Sequence, residues 1–472
     1  KRLRKTLPLL LAALLLTGCW QEEPPEEPGD VLPPFEEAPE EKPALLPERF
    51  ALPYSPGGSL DPVTCADGMQ QVAASLLYEG LFRLDGSLEP QLCLCASYTY
   101  DSEFFRYVFT LREGVRFSDG TDLTGRDVKA TLERARQSDR YRSRLSGVAS
   151  VSAGEGSVTV TLSGPNTGFP ALLDIPIVKS GTESAPAPTG TGPYFYAEEE
   201  TGTWLVANQS WWRGESQPLE RIALIEASDP DAMLYRFSSH EVQLITADLT
   251  GVLAVSATGS VGCLDVETTL LQYVGCNTAR APLDSPALRR ALSAGINRAN
   301  VTGAYLSGHG LPAAFPVSPA SSLYPAALEE PYSVDAFAAA LAASGYVPEG
   351  PLTLLVNEEN SFKRAIADYL AETWTAGGLP VEVRALPWEE YAAALEAGDF
   401  DLYYGEARLS ADWDLSSLLE PGGSLNYGHW SHPDTSALLA AYAASEQREA
   451  AMKALCAHLR DQAPLLPVCF KS

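Results

Sequence analysis

Apolar positions along this chain change period repeatedly, from every second residue to a spacing near 3.6. Arg106 to Arg112 alternates apolar and polar side chains, the mark of a half-buried strand. Phe117-Ser118-Asp119-Gly120 closes that run with turn chemistry. Thr124 then reads as the N-cap of a helix from Gly125 to Ala135, with Asp127 standing where a capping-box glutamate would be. Val148 to Leu162 reads as a hairpin around Gly154-Glu155-Gly156. Before these, Arg49 to Tyr54 predicts a strand, Gln70 to Leu77 a helix and Leu81 to Asp85 a strand.

The alternation continues to the end of the chain. Strands are predicted at Tyr194 to Tyr196, Trp204 to Ala207, Ile222 to Glu226 and Val242 to Ile245, with a helix from Asp231 to Phe237. Thr182 to Thr191 is a Pro/Thr/Gly-rich connection suited to a domain crossing. Further strands are expected at Leu270 to Asn277, Leu352 to Val356, Val381 to Ala385 and Phe400 to Tyr404. Helices are expected over Pro286 to Ile296, Val334 to Ser344, Phe362 to Trp374, Trp388 to Ala397, Ser436 to Ala443 and Gln447 to Ala463. Helices alternating with strands imply an α/β chain, and this length implies more than one core.

The first 47 residues break this pattern. Lys1, Arg2, Arg4 and Lys5 precede an apolar run from Leu7 to Leu16, too short to span a bilayer comfortably. The run ends in Leu16-Thr17-Gly18-Cys19, which resembles the lipobox of bacterial lipoproteins. The resemblance implies a signal peptide over 1–18, lipidation of Cys19, and a protein tethered on the outer face of the cell membrane. Residues 19–47 then form a Pro/Glu-rich stretch, expected to be a disordered tether because it lacks the apolar surface to offset its ordering entropy. Fully extended, Trp20 to Pro47 would reach about 85 Å at roughly 3.1 Å per residue.

Charge narrows the partners. The formal net charge of −28 becomes −32 without the four basic residues of the signal, which argues against nucleic acid or anionic lipid surfaces. Seven cysteines follow Cys19, an odd number, so at least one lacks an intramolecular mate. Cys263/Cys276 and Cys456/Cys469 are possible disulfides. Cys93 and Cys95 would share one face if they lie on a strand. His429-x-x-His432 is flanked by Gly428 and Pro433, so a loop and no metal is expected there. The chain has no Gly-x-Ser-x-Gly elbow, no Walker-type loop and no nucleophile–base set. No cofactor and no enzymatic activity are expected.

Several strings occur in the order seen in one family. They are Leu60-Asp61-Pro62, Leu77-Tyr78-Glu79-Gly80-Leu81-Phe82, and Phe109-Thr110-Leu111-Arg112-Glu113-Gly114-Val115-Arg116-Phe117-Ser118-Asp119-Gly120 with Asp127-Val128. Gly190-Thr191-Gly192-Pro193-Tyr194, Asn208 with Trp211-Trp212, Arg289-Arg290-Ala291-Leu292 with Ile296-Asn297-Arg298, and Gly398-Asp399-Phe400-Asp401 follow. From about Phe50 to Phe470 the chain resembles the peptide/nickel class (family 5) of ABC-importer solute-binding proteins. The strings themselves read as turns and packing points.

The resemblance implies a periplasmic-binding-protein-like, two-lobed α/β fold with an extra third domain. Domain I would be discontinuous (48–75, 185–268 and 445–472), domain II would cover 76–184 and domain III 269–444. It implies a monomeric receptor that encloses a peptide or other small solute between lobes and passes it to the permease subunits. Relatives that bind peptides hold the α-ammonium on an aspartate after the Gly-Asp-Phe-Asp strand. Here that is Asp412, with Asp414 as a rival because the loop from Asp401 is longer than in those relatives. Arg408 could take a carboxylate, Trp388, Trp413 and Tyr404 could supply aromatic walls, and Asp67, Gly68 and Met69 could run backbone alongside the ligand. Relatives also continue beyond the segment matching Leu465 to Val468, so either domain I lacks its last strands or this branch of the family is compact. A non-peptide ligand (metal chelate, haem, oligosaccharide) on the same fold stays open, as does an exported enzyme or structural lipoprotein.

Overall fold

The computed structural model describes residues 49–55, 57–65, 68–251 and 261–472. The signal, Cys19, the tether and Asp67 lie outside the described residues. No helix among the described residues is long and apolar enough to cross a membrane.

Among the described residues, four sheets carry the fold. The first joins Tyr194–Glu199, Gly202–Ala207 and Arg221–Glu226 as an antiparallel meander, with Ala51–Tyr54 added in parallel at its edge. Leu52, Leu205, Ile222 and Leu224 bury one face against Ala73, Ala74 and Leu77 of the helix Gly68–Leu77. The predicted strand at Val242 to Ile245 does not form. Gln243 instead lies beside Ala51, donating its N–H to Ala51 O at 3.1 Å and accepting from Ala51 N at 2.7 Å through its side-chain oxygen. The side chain supplies an acceptor that a second ladder carbonyl would otherwise provide.

A second antiparallel sheet runs in the order Cys95–Asp101, Arg106–Leu111, Ser157–Leu162, Val148–Ala153. A short pair, Phe82–Leu84 with Pro90–Leu92, stands beside it. Cys93 falls between strands and Cys95 opens the next, so the two thiols do not share a strand face. The helix Gly125–Ala135 covers this sheet, with Val128, Leu132 and Ala135 packed among Val151, Val158 and Val160. Its expected cap forms: Thr124 N–H donates to the Asp127 carboxylate at 3.0 Å.

The largest sheet has six strands in the order Gly310–Pro312, Leu465–Lys471, Leu270–Cys276, Leu402–Arg408, Leu352–Asn357, Val381–Leu386. The first four are mutually antiparallel and the last three parallel. Helices Pro286–Ala294 and Ser361–Ala376 bring Leu288, Leu292, Ile366, Leu370 and Trp374 to one face. Tyr391, Leu395 and Trp413 belong to the core on the other. Here the structure corrects the expected grouping. Residues 465–471 were placed with 48–75 and 185–268, yet they form an interior strand of this sheet, between Leu270–Cys276 and Gly310–Pro312. Cys276, Cys456 and Cys469 are buried as separate thiols and Cys263 is exposed, so neither considered disulfide is formed.

Candidate functional site

A cavity of about 1740 Å³ opens where these sheets meet. One wall comes from Thr64, Gln71 and Ser75 beside the first helix. A second is built from 137–176, including Arg140, Arg144, Asn166 and Asp174. The third is the end of the strand Leu402–Arg408 and the loop after it, together with Glu267, Thr268 and Thr269. Arg408, Asp412 and Asp414, expected from the sequence, are all in this wall.

Asp412 is 3 % exposed and held from both sides. Ser410 Oγ donates to its Oδ1 at 2.5 Å and Asn166 Nδ2 to its Oδ2 at 2.8 Å. The Asn166 bond links the Val148–Leu162 part of the chain to the six-stranded-sheet part. The Asp412 backbone carbonyl accepts from Tyr442 Oη at 2.8 Å and Arg448 at 2.6 Å. The next residue, Trp413, sits at φ 57°, a left-handed conformation that is costly for a bulky side chain. That turn aims Asp412 toward the cavity while Trp413 packs edge-on against Phe470, ring centroids 5.8 Å apart.

The cavity carries both signs of charge. Arg144 is ion-paired with Asp174. Burial pushes its guanidinium down to about 10, against the opposing pull of Tyr141 and Asp412. Arg140 donates to Cys65 O at 2.7 Å and Gln71 at 3.1 Å. Arg408 is exposed, and no acid or side-chain hydrogen-bond partner meets its guanidinium among the described residues. A carboxylate entering the cavity would find that fork free. Burial, and next the neighbouring Asp265, raise the Glu267 carboxyl above its ordinary range.

The aromatic expectations divide. Trp413 is 1 % exposed and is core. Tyr404 is fully buried, donating to Gln272 at 2.6 Å, and is also core. An interior strand facing helices on both sides leaves such rings nowhere else to go. Trp388 is 60 % exposed at the start of its helix, stacked on Tyr391 at 5.8 Å, and outside the cavity lining. Gly68 and Met69 open the helix whose next turns contribute Gln71 and Ser75 to the wall, without lining it themselves. Asn166, Arg144, Asp174 and Ser410 were missed. They sit in loops with no periodicity, and only the tertiary fold brings them to Asp412.

Residues 89–426 match the model of the bacterial extracellular solute-binding proteins, family 5. The chain belongs to that family. It is an ABC-type solute-binding protein, and the glutathione-binding protein GsiB of Escherichia coli K12 is 26 % identical over 389 residues, 76 % of this chain and 75 % of that one. GsiB of Shigella flexneri serotype 5b gives the same identity over 391 residues. Among solved structures, the unliganded open form of the periplasmic murein tripeptide binding protein MppA superposes with a TM-score of 0.75 at 20 % identity, covering 90 % of this chain and 92 % of that one. A nickel ABC transporter protein from Bacillus halodurans gives 0.73 at 19 % identity, covering 90 % and 93 %. The family's multi-domain periplasmic-binding fold is therefore the fold of this chain.

Several of the strings that carried the resemblance contact one another, and Pro62 of the first also lines the cavity. Glu79 accepts from Thr191 at 3.1 Å and from Trp212 Nε1 at 2.7 Å, which ties three of them together. Asn208 donates to Gly192 O at 3.1 Å. Asp61 is ion-paired with Arg134. Arg298 donates to Ala313 O at 3.0 Å and Pro467 O at 2.9 Å, and Asp401 accepts from Thr353 N at 2.9 Å. Here these contacts brace the frame on which the cavity is built.

Proposed function

We propose that this protein is a lipid-anchored receptor that captures a short peptide in the cavity at Asp412 and hands it to an ABC permease, with no chemistry of its own. The observation that carries this reading is a buried carboxylate, Asp412, and a guanidinium without a partner among the described residues, Arg408, in the wall of one cavity. A zwitterionic peptide has an ammonium for the first and a carboxylate for the second, and both contacts are charge-assisted. Relatives whose names record glutathione and murein tripeptide as ligands support a peptide of that size.

Cavity volume supports closure around the ligand. A site that buries most of a small ligand is roughly 300–1,000 Å³, and this one is about 1740 Å³. Moving the walls toward one another about the Asn166–Asp412 contact would shrink it, and ligand would favour that state by its better contacts there. Trp388, exposed on the same sheet's helix layer, is available to cover ligand on closure. Cys19, lipidated after removal of 1–18, would hold the receptor at the outer face of the membrane through the acidic tether.

Native mass spectrometry of protein purified without denaturant tests the ligand: a co-purified peptide is expected. Calorimetry on refolded, emptied protein with tripeptides and their C-terminal amides tests the Arg408 contact, the amide binding more weakly. Failure of all peptides, with tight binding of a nickel–histidine chelate, would replace the peptide reading by the metal-chelate one. Cys19→Ser is expected to release the protein from the membrane fraction, and retention would refute the anchor.

A further inference from the structure

Away from Asp412, three side chains with metal-binding atoms converge at one edge of the six-stranded sheet. Cys263 and Asp265 lie on the stretch that leads into the strand Leu270–Cys276, and His309 lies on the turn before the edge strand Gly310–Pro312. The Cys263 sulfur, an Asp265 carboxylate oxygen and a His309 ring nitrogen all fall within 4.8 Å of one another. His309 Nδ1 and Asp265 Oδ1 are 2.8 Å apart.

The fold explains the meeting. Thr268 Oγ1 donates to Lys471 O at 2.6 Å, and Lys471 pairs across its strand with Gly310. The segment before Thr268 is thereby laid beside the residue preceding Gly310. Residues two apart on an extended chain share a side, so Cys263 and Asp265 face His309 together. Leu264, between them, is 87 % exposed on the other side. On the His309 side, Ser307 (φ 54°) and Gly308 (φ 88°) make a tight left-handed turn that holds the imidazole at the edge.

We propose that Cys263, Asp265 and His309 form a binding site for a zinc-class divalent cation, with the fourth position open to water. Zinc takes thiolate, imidazole and carboxylate at about 2.0 to 2.3 Å, so ligand atoms around one tetrahedral ion lie roughly 3.3 to 3.8 Å apart. The Asp265–His309 spacing of 2.8 Å is shorter than that range and the others lie within 4.8 Å, and two of the three side chains are exposed and can shift to reach it. Binding releases the Cys263 thiol proton to solvent and ends the direct Asp265–His309 contact in favour of the ion. A thiolate with an imidazole selects zinc-class ions over magnesium and calcium. The site joins the 261–269 stretch to the edge strand, and that stretch continues into Glu267, Thr268 and Thr269 of the cavity wall. The ion would therefore brace one wall of the cavity without entering it.

Cobalt(II) is the probe. Titrating the full exported chain, freed of metal by chelator, is expected to give a thiolate-to-cobalt charge-transfer band that saturates at one equivalent and is displaced by Zn²⁺. Cys263→Ser should abolish the band, and His309→Gln should weaken cobalt binding. Circular dichroism on each variant establishes that it is folded. As a second readout on the unaltered chain, Zn²⁺ but not Mg²⁺ should protect Cys263 from alkylation, mapped by peptide mass spectrometry. No band at stoichiometric cobalt, a band that survives Cys263→Ser, or alkylation of Cys263 unaffected by Zn²⁺ would each overturn the site. Peptide affinity does not enter these readouts, so the result stands apart from the proposed peptide binding.

Discussion

Asp412 is where sequence and geometry agree most closely at the scale of a residue. Its carboxylate is buried, lies in the cavity wall, and already accepts hydrogen bonds from Ser410 and Asn166. Those donors fix its direction, so the ammonium of the proposed peptide would meet a preset acceptor. Asp412→Ala is expected to weaken peptide binding at least about tenfold, or about 1.4 kcal/mol, by calorimetry. Asn166→Ala tests the bracing of Asp412, because it removes the Asn166–Asp412 bond, together with the local Gly168 N–H contact to Asn166 Oδ1. A smaller loss than in Asp412→Ala is expected. Equal losses would mean that Asp412 acts only through Asn166. Asp412 was singled out through the family resemblance with Asp414 as its rival, and the cavity wall holds both. Trp413 and Tyr404 failed as wall residues because an aromatic ring reads the same in a core and in a pocket.

At the scale of elements, periodicity did well where one face is wet. The helices Gly125–Ala135, Val334–Ser344 and Trp388–Ala397 have the ends expected of them. Capping residues or flanking glycines mark each: Thr124 with Asp127, Ser333 with Gly345, and Gly398 in the left-handed conformation. Leu465–Lys471 was missed because all seven of its residues are buried, so no alternation exists to be read. Close approach between elements was equally invisible. A Cβ on Gly192 would lie 2.5 Å from Leu76 O and 2.6 Å from Leu77 O, at the end of the first helix. Gly192→Ala must push the helix end away from the strand that follows. Its expected cost is about 1–3 kcal/mol, read as a lowered urea midpoint with an unchanged m-value. An unchanged midpoint would mean the two elements can separate freely.

Across the whole molecule, charge pairs join segments far apart in sequence, and one gives a pH signature. Burial alone would raise the Asp119 carboxyl, but the Lys179 ammonium at 2.5 Å and Thr121 overcome this and hold it at about 2, below its ordinary 3.8. A carboxyl depressed by folding contributes stability that is complete above about pH 4 and lost as pH falls through about 2. Lys179→Met should therefore open a stability gap to the unaltered protein at neutral pH that narrows below about pH 4 and closes near pH 2. The gap should be modest, because the pair is partly exposed and screened by solvent. Urea melts at a series of pH values measure it, and a gap constant across that series would rule out the pairing.

The sequence by itself determined the family, the α/β alternation, and the loop that bears Arg408 and Asp412. These are local signals: periods, caps, turns and ordered strings, each written within a few residues. Only the tertiary structure decided what faces the cavity. Asn166 and Asp412 are 246 residues apart, and Asp265 and His309 are 44 apart. Strand 465–471 is interior because it lies between Leu270–Cys276 and Gly310–Pro312, a placement set by long-range pairing. Hydrogen bonding and burial act through space, and a side chain's partner is chosen by whichever segment the sheet order lays beside it.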